Sequence, residues 1–249
     1  MQTRVKIGLG VTAAFLVVMA GEVLWIHHKN NEVMPVAKDP YANVTANADD
    51  LVFLRKQHPD SLKDERALIG KTIWVSAADQ MDYYHCTKGH ADYAHPVGTL
   101  EGAWPLVVTG VFEQVPPKGL PRAVARIAAG QRHVLLEFTL PKSDDPKAEY
   151  AVPVGYFDAG YYNFLTDEIF FYDDPHELYK HWGPEMWAHV DKHEAALGMN
   201  ENQAMLALGQ VIVPHGDKMG DRSVTYDNNG KPVTIEFEGG KAVKISPGS

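Results

Sequence analysis

Apolar residues fall into distinct regimes along the chain. Residues 7–26, IGLGVTAAFLVVMAGEVLWI, are apolar almost throughout and show no polar stripe at helical spacing. From Leu68 to Asp173 the apolar residues come in short runs rich in β-branched and aromatic side chains. Beyond Asp173 the spacing becomes helical, and near the C-terminus it alternates again. An unbroken run predicts a membrane segment. Short runs between turn residues predict strands, and three-to-four spacing predicts helices.

Arg4 and Lys6 precede the first run. As a helix, residues 7–26 would cover about 30 Å at roughly 1.5 Å per residue, enough to span a bilayer. Glu22 then sits near the outer end, where an ionisable group costs less than at the centre. Val18-Met19-Ala20 also suits a signal-peptide cleavage site. Because the run continues past Ala20 to Trp25, an interfacial residue type, an uncleaved anchor is favoured over a cleaved signal. No cysteine stands directly after the run to carry a lipid. Either reading places the rest of the chain outside the cytoplasm. The expected location is the inner membrane, single-pass, with the bulk periplasmic or extracellular. Arg4 and Lys6 against Lys29 and Lys38 give this orientation only a small positive-inside bias.

The segments that follow read as a tether at 29–66, a β-rich domain at 67–173, a helical bridge at 174–197 and an αβ module at 198–249. A short helix is expected from Asp49 to Lys56, capped by Asn47 or Asp49, with Leu51, Val52 and Leu54 on one face. Strands are expected in LIGKTIWVSA, WPLVVTGVFEQV (104–115), RHVLLEFTL (132–140), EYAVPVGYF (149–157) and DEIFFYD (167–173). In the third, His133, Leu135 and Glu137 alternate with Val134, Leu136 and Phe138, and in the fourth Pro153 marks an edge or a bulge. Asp173 or Asp174 caps a helix opening at Pro175, and a second helix runs from Pro184 to Leu197 with Trp187, Val190 and Leu197 as its apolar stripe. A last helix opens on the Asn200/Gln203 capping box, ends at Gly209 and precedes strands RSVTYD, PVTIEFE and KAVKI, joined by DNNG and EGGK turns. The fold class is therefore α+β: an N-terminal transmembrane helix, an antiparallel β-rich domain of SH3-like or small-barrel type, a helical bridge, and a helix with a three-stranded meander.

The last unit resembles the small module of the SmpA/OmlA (BamE-like) and beta-lactamase-inhibitor-like families. The resemblance rests on Gly198-Met199, Gln203 and Leu208-Gly209 around the helix, on Val224–Tyr226, and on the hairpin from Phe237 through Val243. It covers about a fifth of the chain. In those families a proline closely follows the Leu-Gly pair, whereas Pro214 here stands five residues after Gly209. The resemblance implies a cell-envelope location and protein–protein contact, without catalysis.

Composition narrows the function classes. Apolar residues at 45% and charged residues at 22% fit a globular chain, and the net charge of −9 disfavours a nucleic-acid partner. The single cysteine, Cys86, forms no internal disulfide.

Candidate chemistry comes in three clusters. Cys86, His90 and His95 offer a thiolate–imidazole set suited to zinc or copper, although no second cysteine completes a standard finger. The loop residues Gly89, Asp92 and Pro96 favour an ordinary loop there instead. His189 and His193, four apart on one expected helix face, form a second possible pair, with Glu194 alongside. Tyr161, Tyr162 and Tyr172 lie in an acidic-aromatic run from Tyr156 to Trp182 that can line a carbohydrate or peptide groove or simply pack a core. No catalytic residue and no cofactor are expected. The reading is a membrane-anchored envelope protein that binds or scaffolds an envelope protein partner. The alternative is a metal-binding periplasmic protein or metal-dependent enzyme built on Cys86, His90 and His95. A cell-wall-glycan binder using Tyr161 or Tyr162 is a third option.

Overall fold

A computed structural model describes residues 19–29, 47–77, 81–118 and 132–248. The chain divides into two compact units, 1–47 and 48–249. In the first, residues 19–29 are helical (α1), and Lys29 Nζ lies 5.0 Å from the centre of the Trp25 ring. Among the described residues no helix is long and apolar enough to cross a membrane. Most of the expected anchor, residues 7–18, lies outside the described residues.

The second unit is α+β, with two antiparallel sheets and short helices. In chain order it runs α2 (Leu62–Arg66), β1 (Thr72–Val75), β2 (Asp82–Cys86), β3 (Ala91–Thr99), β4 (Pro105–Gln114), β5 (Arg132–Thr139), β6 (Tyr150–Asp158) and β7 (Tyr161–Phe164). Then come α3 (Thr166–Ile169), β8 (Phe170–Phe171), α4 (Pro175–Leu178), α5 (Pro184–Val190), α6 (Glu201–Leu208), β9 (Val211–His215), β10 (Ser223–Tyr226), β11 (Val233–Glu238) and β12 (Lys241–Pro247). The large sheet has the order β3-β2-β6-β5-β4-β1-β8, with β7 also paired to β6, and the small one is β12-β11-β10-β9.

The alternation in β5 sets the two faces of the large sheet. Val134, Leu136 and Phe138 enter the main core with Ile73, Leu106, Val152 and Phe170, while Leu135 packs on the opposite face with Tyr84, Cys86, Tyr93 and Ala151. The β2–β3 hairpin supplies Tyr84, Cys86, Ala91 and Tyr93 to this second face. The Gln114 side-chain amide, at the end of β4, bonds both the N–H (2.8 Å) and the C=O (2.9 Å) of Ala91 on β3. One side chain thus imitates a strand partner and draws the sheet toward closure.

Pro153 sits where the partner of β6 changes. Tyr84 on β2 pairs with Ala151, β7 pairs from Gly155 onward, and the β5–β6 register shifts between Val134 and Leu135. A residue without an N–H is tolerated at such a bulge.

The C-terminal half forms its own cluster, with Trp187, Val190, Leu206, Val224, Tyr226, Ile235 and Phe237 buried together with Ala103 from the large sheet's β3–β4 connection. Contact at that connection is close: a Cβ on Gly102 would lie 1.9 Å from the Leu206 carbonyl oxygen. The expected capping box holds, with Asn200 accepting from the Gln203 N–H at 2.9 Å and Gln203 accepting from the Asn200 N–H at 2.8 Å. Both meander turns carry the left-handed residues they need, Asn228 and Asn229 in one, Gly239 and Gly240 in the other.

Several expected elements differ. Residues 49–56 do not form a helix. A single 3-10 turn at Ala48–Leu51 leads into irregular chain, because Asp49 turns inward to a polar joint rather than capping a helix. The run 167–173 splits into α3 and the two-residue β8. Residues 83–95 are mostly hairpin strand, not loop, with bulges that disrupt their alternation. The helix from Pro184 stops at Val190, not Leu197, and Leu197 is exposed. His193 takes a left-handed φ of 56°, its N–H bonds the Val190 carbonyl, and the Glu194 N–H bonds the His189 carbonyl. This is a Schellman stop with histidine in the usual glycine position. The meander also gains a fourth, edge strand, β9.

Candidate functional site

The residues after Ala48 form a strap fixed at both ends. At one end the Asp49 carboxylate is buried and accepts from His181 Nε2 (2.6 Å), Trp182 Nε1 (2.7 Å), Asn200 Nδ2 (2.8 Å) and Asn202 Nδ2 (3.0 Å). Burial pushes its carboxyl upward, but the donors, Trp182 and His181 foremost, outweigh burial and hold it below the usual carboxylate range. At the other end the Asp167 carboxylate accepts the backbone N–H groups of Gln57 (2.9 Å) and His58 (2.8 Å) and the Tyr172 hydroxyl (2.7 Å). Arg55 donates to the Tyr172 carbonyl and pairs with Asp173 at 3.1 Å, and Lys56 donates to the Asp167 carbonyl.

Between the strap, the edge strand β8 and α6 lies a cleft of about 310 Å³. Leu54 and Met205 flank it, Phe171, Tyr179 and Trp182 give it an aromatic wall, and Lys56, Ser76, Glu168 and Asn202 supply its polar groups. The wall is ordered by stacking. The Tyr179 and Trp182 rings lie 4.6 Å apart at 26°, and Trp182 lies 5.0 Å from Trp187. Trp182 and Asn202 also bond Asp49, so the joint that fixes the strap fixes two cleft residues. An apolar concavity with a few placed polar groups suits a small ligand or a partner's side chain.

Elsewhere the predicted residues are dispersed. Cys86 is buried on β2 and donates to Glu137 Oε1 at 3.1 Å; burial, followed by this carboxylate, pushes its thiol up to about 12. His90 is exposed in the hairpin turn, and His95 is exposed on β3, bonded to Asp92 at 2.9 Å. His189 lies 3.8 Å from Glu194, while His193 turns to Glu101 (3.9 Å) and the Trp104 ring, so the two imidazoles do not share a helix face. Among the described residues no group of three or more His, Cys, Asp or Glu is placed to hold a metal ion.

The tyrosines do not share one groove either. Tyr161 is exposed at the β6–β7 turn. Tyr162 is half-buried, donates to Glu113 at 3.2 Å and stacks on Phe164, and Tyr172 is buried under the strap. Sequence reasoning missed Asp49, Leu54, Asn202 and Met205 as site residues, whereas Phe171, Tyr179 and Trp182 lie within the acidic-aromatic run it singled out. The one local sign was the density of aromatics at 170–187.

Two further buried polar groups stand apart from the cleft. Tyr93 Oη and His133 Nδ1 bond at 3.0 Å beneath the β2–β3 hairpin. Glu65 on α2 has no exposed surface and accepts from the Thr166 hydroxyl; desolvation raises its pKa to about 7.

Comparison with protein-family models, with curated proteins and with solved structures found no match. What fold and site together define is a class, an α+β unit with a preorganised aromatic cleft.

Proposed function

We propose that this chain is a membrane-tethered, extracytoplasmic binding module whose cleft takes an apolar or aromatic side chain of an envelope protein partner. The observation that carries the reading is the aromatic wall of Phe171, Tyr179 and Trp182, in which Tyr179 stacks on Trp182 and Trp182 is bonded to Asp49. Such preorganisation lowers the ordering cost of binding. Lys56 and Glu168 place opposite charges at the same cleft, which suits the polar backbone and mixed side chains of a peptide segment. The apolar run at 7–26 supports the tether, and the resemblance of residues 198–249 to SmpA/OmlA-like modules supports the envelope location.

Photo-crosslinking from positions 54 and 205 in the full-length chain, expressed in cells, tests the reading, with position 243 as an exposed control. One discrete adduct from both cleft positions, absent at 243 and lost from position 54 when Met205→Glu is added, is the expected result. Adducts that are the same at all three positions, or absent from the cleft, overturn it.

A further inference from the structure

The strap is pinned at Asp49 and again at Gln57 and His58, yet between these points it leaves Leu51 63% exposed and Phe53 90% exposed. Leu54, next in the chain, lines the cleft, whereas Phe53 does not. A phenylalanine in a slack loop is free to fold back on apolar surface. Here both flanks are bonded, so the chain holds the ring out in water. Large apolar groups presented on a fixed element mark a contact surface when something is placed to cover them.

We propose that Leu51 and Phe53 are a membrane-contact point, seated in the interfacial region of the bilayer that holds the N-terminal anchor. The inference rests on the anchored reading above. Chain reach supports it: the 18 residues from 30 to 47 separate the described helix from the folded unit. Even fully extended they span about 65 Å at most, at roughly 3.6 Å per residue. An anchor at 7–26 would therefore confine Phe53 to within that reach of the bilayer, and the tether would supply the local concentration that a small patch lacks.

Charge decides the character of the contact. With a net charge of −9 the chain is repelled by an anionic surface, so insertion of apolar side chains, not electrostatic adsorption, is what these residues offer. Arg55 and Lys56 follow directly and soften that repulsion locally, even though both are bonded to the protein. A protein partner fits less well here, because two side chains supply little of the roughly 800 Å² per partner that a stable interface buries.

The test uses the full-length chain in the Cys86→Ser background, reconstituted into phosphatidylethanolamine/phosphatidylglycerol vesicles. A nitroxide is placed at Phe53→Cys, and in a separate protein at Tyr161→Cys, 76% exposed, as control. Flotation after a carbonate wash is read first. Failure to float overturns the anchored reading and this inference with it. If the chain floats, the label at 53 is expected to be more accessible to oxygen than to a water-soluble nickel chelate, with the opposite order at 161. The same water-accessible order at both positions overturns the contact while leaving the anchor standing. Protection from both reagents at 53 overturns it in favour of a protein partner, which a second copy of the chain at higher protein-to-lipid ratio would reveal.

Discussion

The Asp49 carboxylate accepts the Trp182 indole N–H at 2.7 Å across a separation of 133 residues. The same carboxylate takes His181 from the bridge and Asn200 and Asn202 from the start of α6. One acidic side chain thus joins the entry of the folded unit to the aromatic bridge and the C-terminal module. Such a joint is specific because each donor is left short of a partner if the carboxylate is removed.

Asp49→Ala should therefore lower unfolding free energy by about 2–4 kcal/mol, more than a surface ion pair contributes. The wild-type protein should also show an acid limb from this group. Its folded pKa is depressed, so its contribution is fully present above the unfolded value near 3.8 and is lost as pH falls through the folded one. Urea melts between pH 2 and 7 check both effects. An Asp49→Ala protein with unchanged midpoint and an unchanged acid limb would sink the claim.

Glu65 has the opposite sign. Desolvation raises its carboxyl to about 7 from the ordinary value of 4.5, with the Thr166 bond acting against it and the Asp167 and Asp64 charges in the same direction. Below 4.5 the group is protonated in both folded and unfolded states and costs nothing. Between 4.5 and 7 the unfolded chain loses the proton first, so stability falls, by about 3 kcal/mol in all. Glu65→Gln should flatten this slope while keeping an acceptor for Thr166. Urea midpoints measured across that window test it, and an equal slope in both proteins would show that Glu65 ionises normally.

Local patterns were legible in the sequence only where periodicity or turn chemistry was regular, and long-range contacts were hardly legible at all. The alternation of Val134, Leu136 and Phe138 against Leu135 was legible because β5 is central and covered on both faces. The meander was legible because its turns need left-handed residues and the chain supplies Asn and Gly there. The β2–β3 hairpin was not, since register shifts at Tyr83/Tyr84 and Tyr84/Cys86 disrupt its period of two. β9 was hidden by Pro214 and by exposure of all five of its residues. The stop at Val190 was hidden because His193 fills a position where glycine is the expected sign. The cleft draws on the strap, β8, the bridge and α6, and nothing local announces that these segments meet.

Gly102 reports on whether the two clusters fold together. A methyl group there would meet the Leu206 carbonyl at 1.9 Å, and a backbone atom of α6 cannot swing aside as a side chain can. Gly102→Ala should cost about 2–4 kcal/mol through overpacking. Hydrogen exchange locates the damage: α6 amides should lose protection along with those of β4. If β4 alone responds, the connection at 101–104 relaxes without disturbing α6, and the contact is looser than the geometry indicates.

Cys86 offers a chemical reading of the same integrity. Its thiol is buried, bonded to the Glu137 carboxylate and pushed up to about 12, so at pH 8 the folded protein holds almost no thiolate. Alkylation by iodoacetamide at pH 8 should be far slower than for a free thiol of pKa about 8.5, and should reach the free-thiol rate once the chain is unfolded in urea. Glu137→Gln removes the carboxylate's share of the shift and leaves burial, the larger cause, in place. That variant should therefore react only modestly faster. Rapid alkylation of the folded wild-type protein would mean that the β2–β3 hairpin opens readily, and that the Gln114–Ala91 link does not keep the second face of the sheet closed.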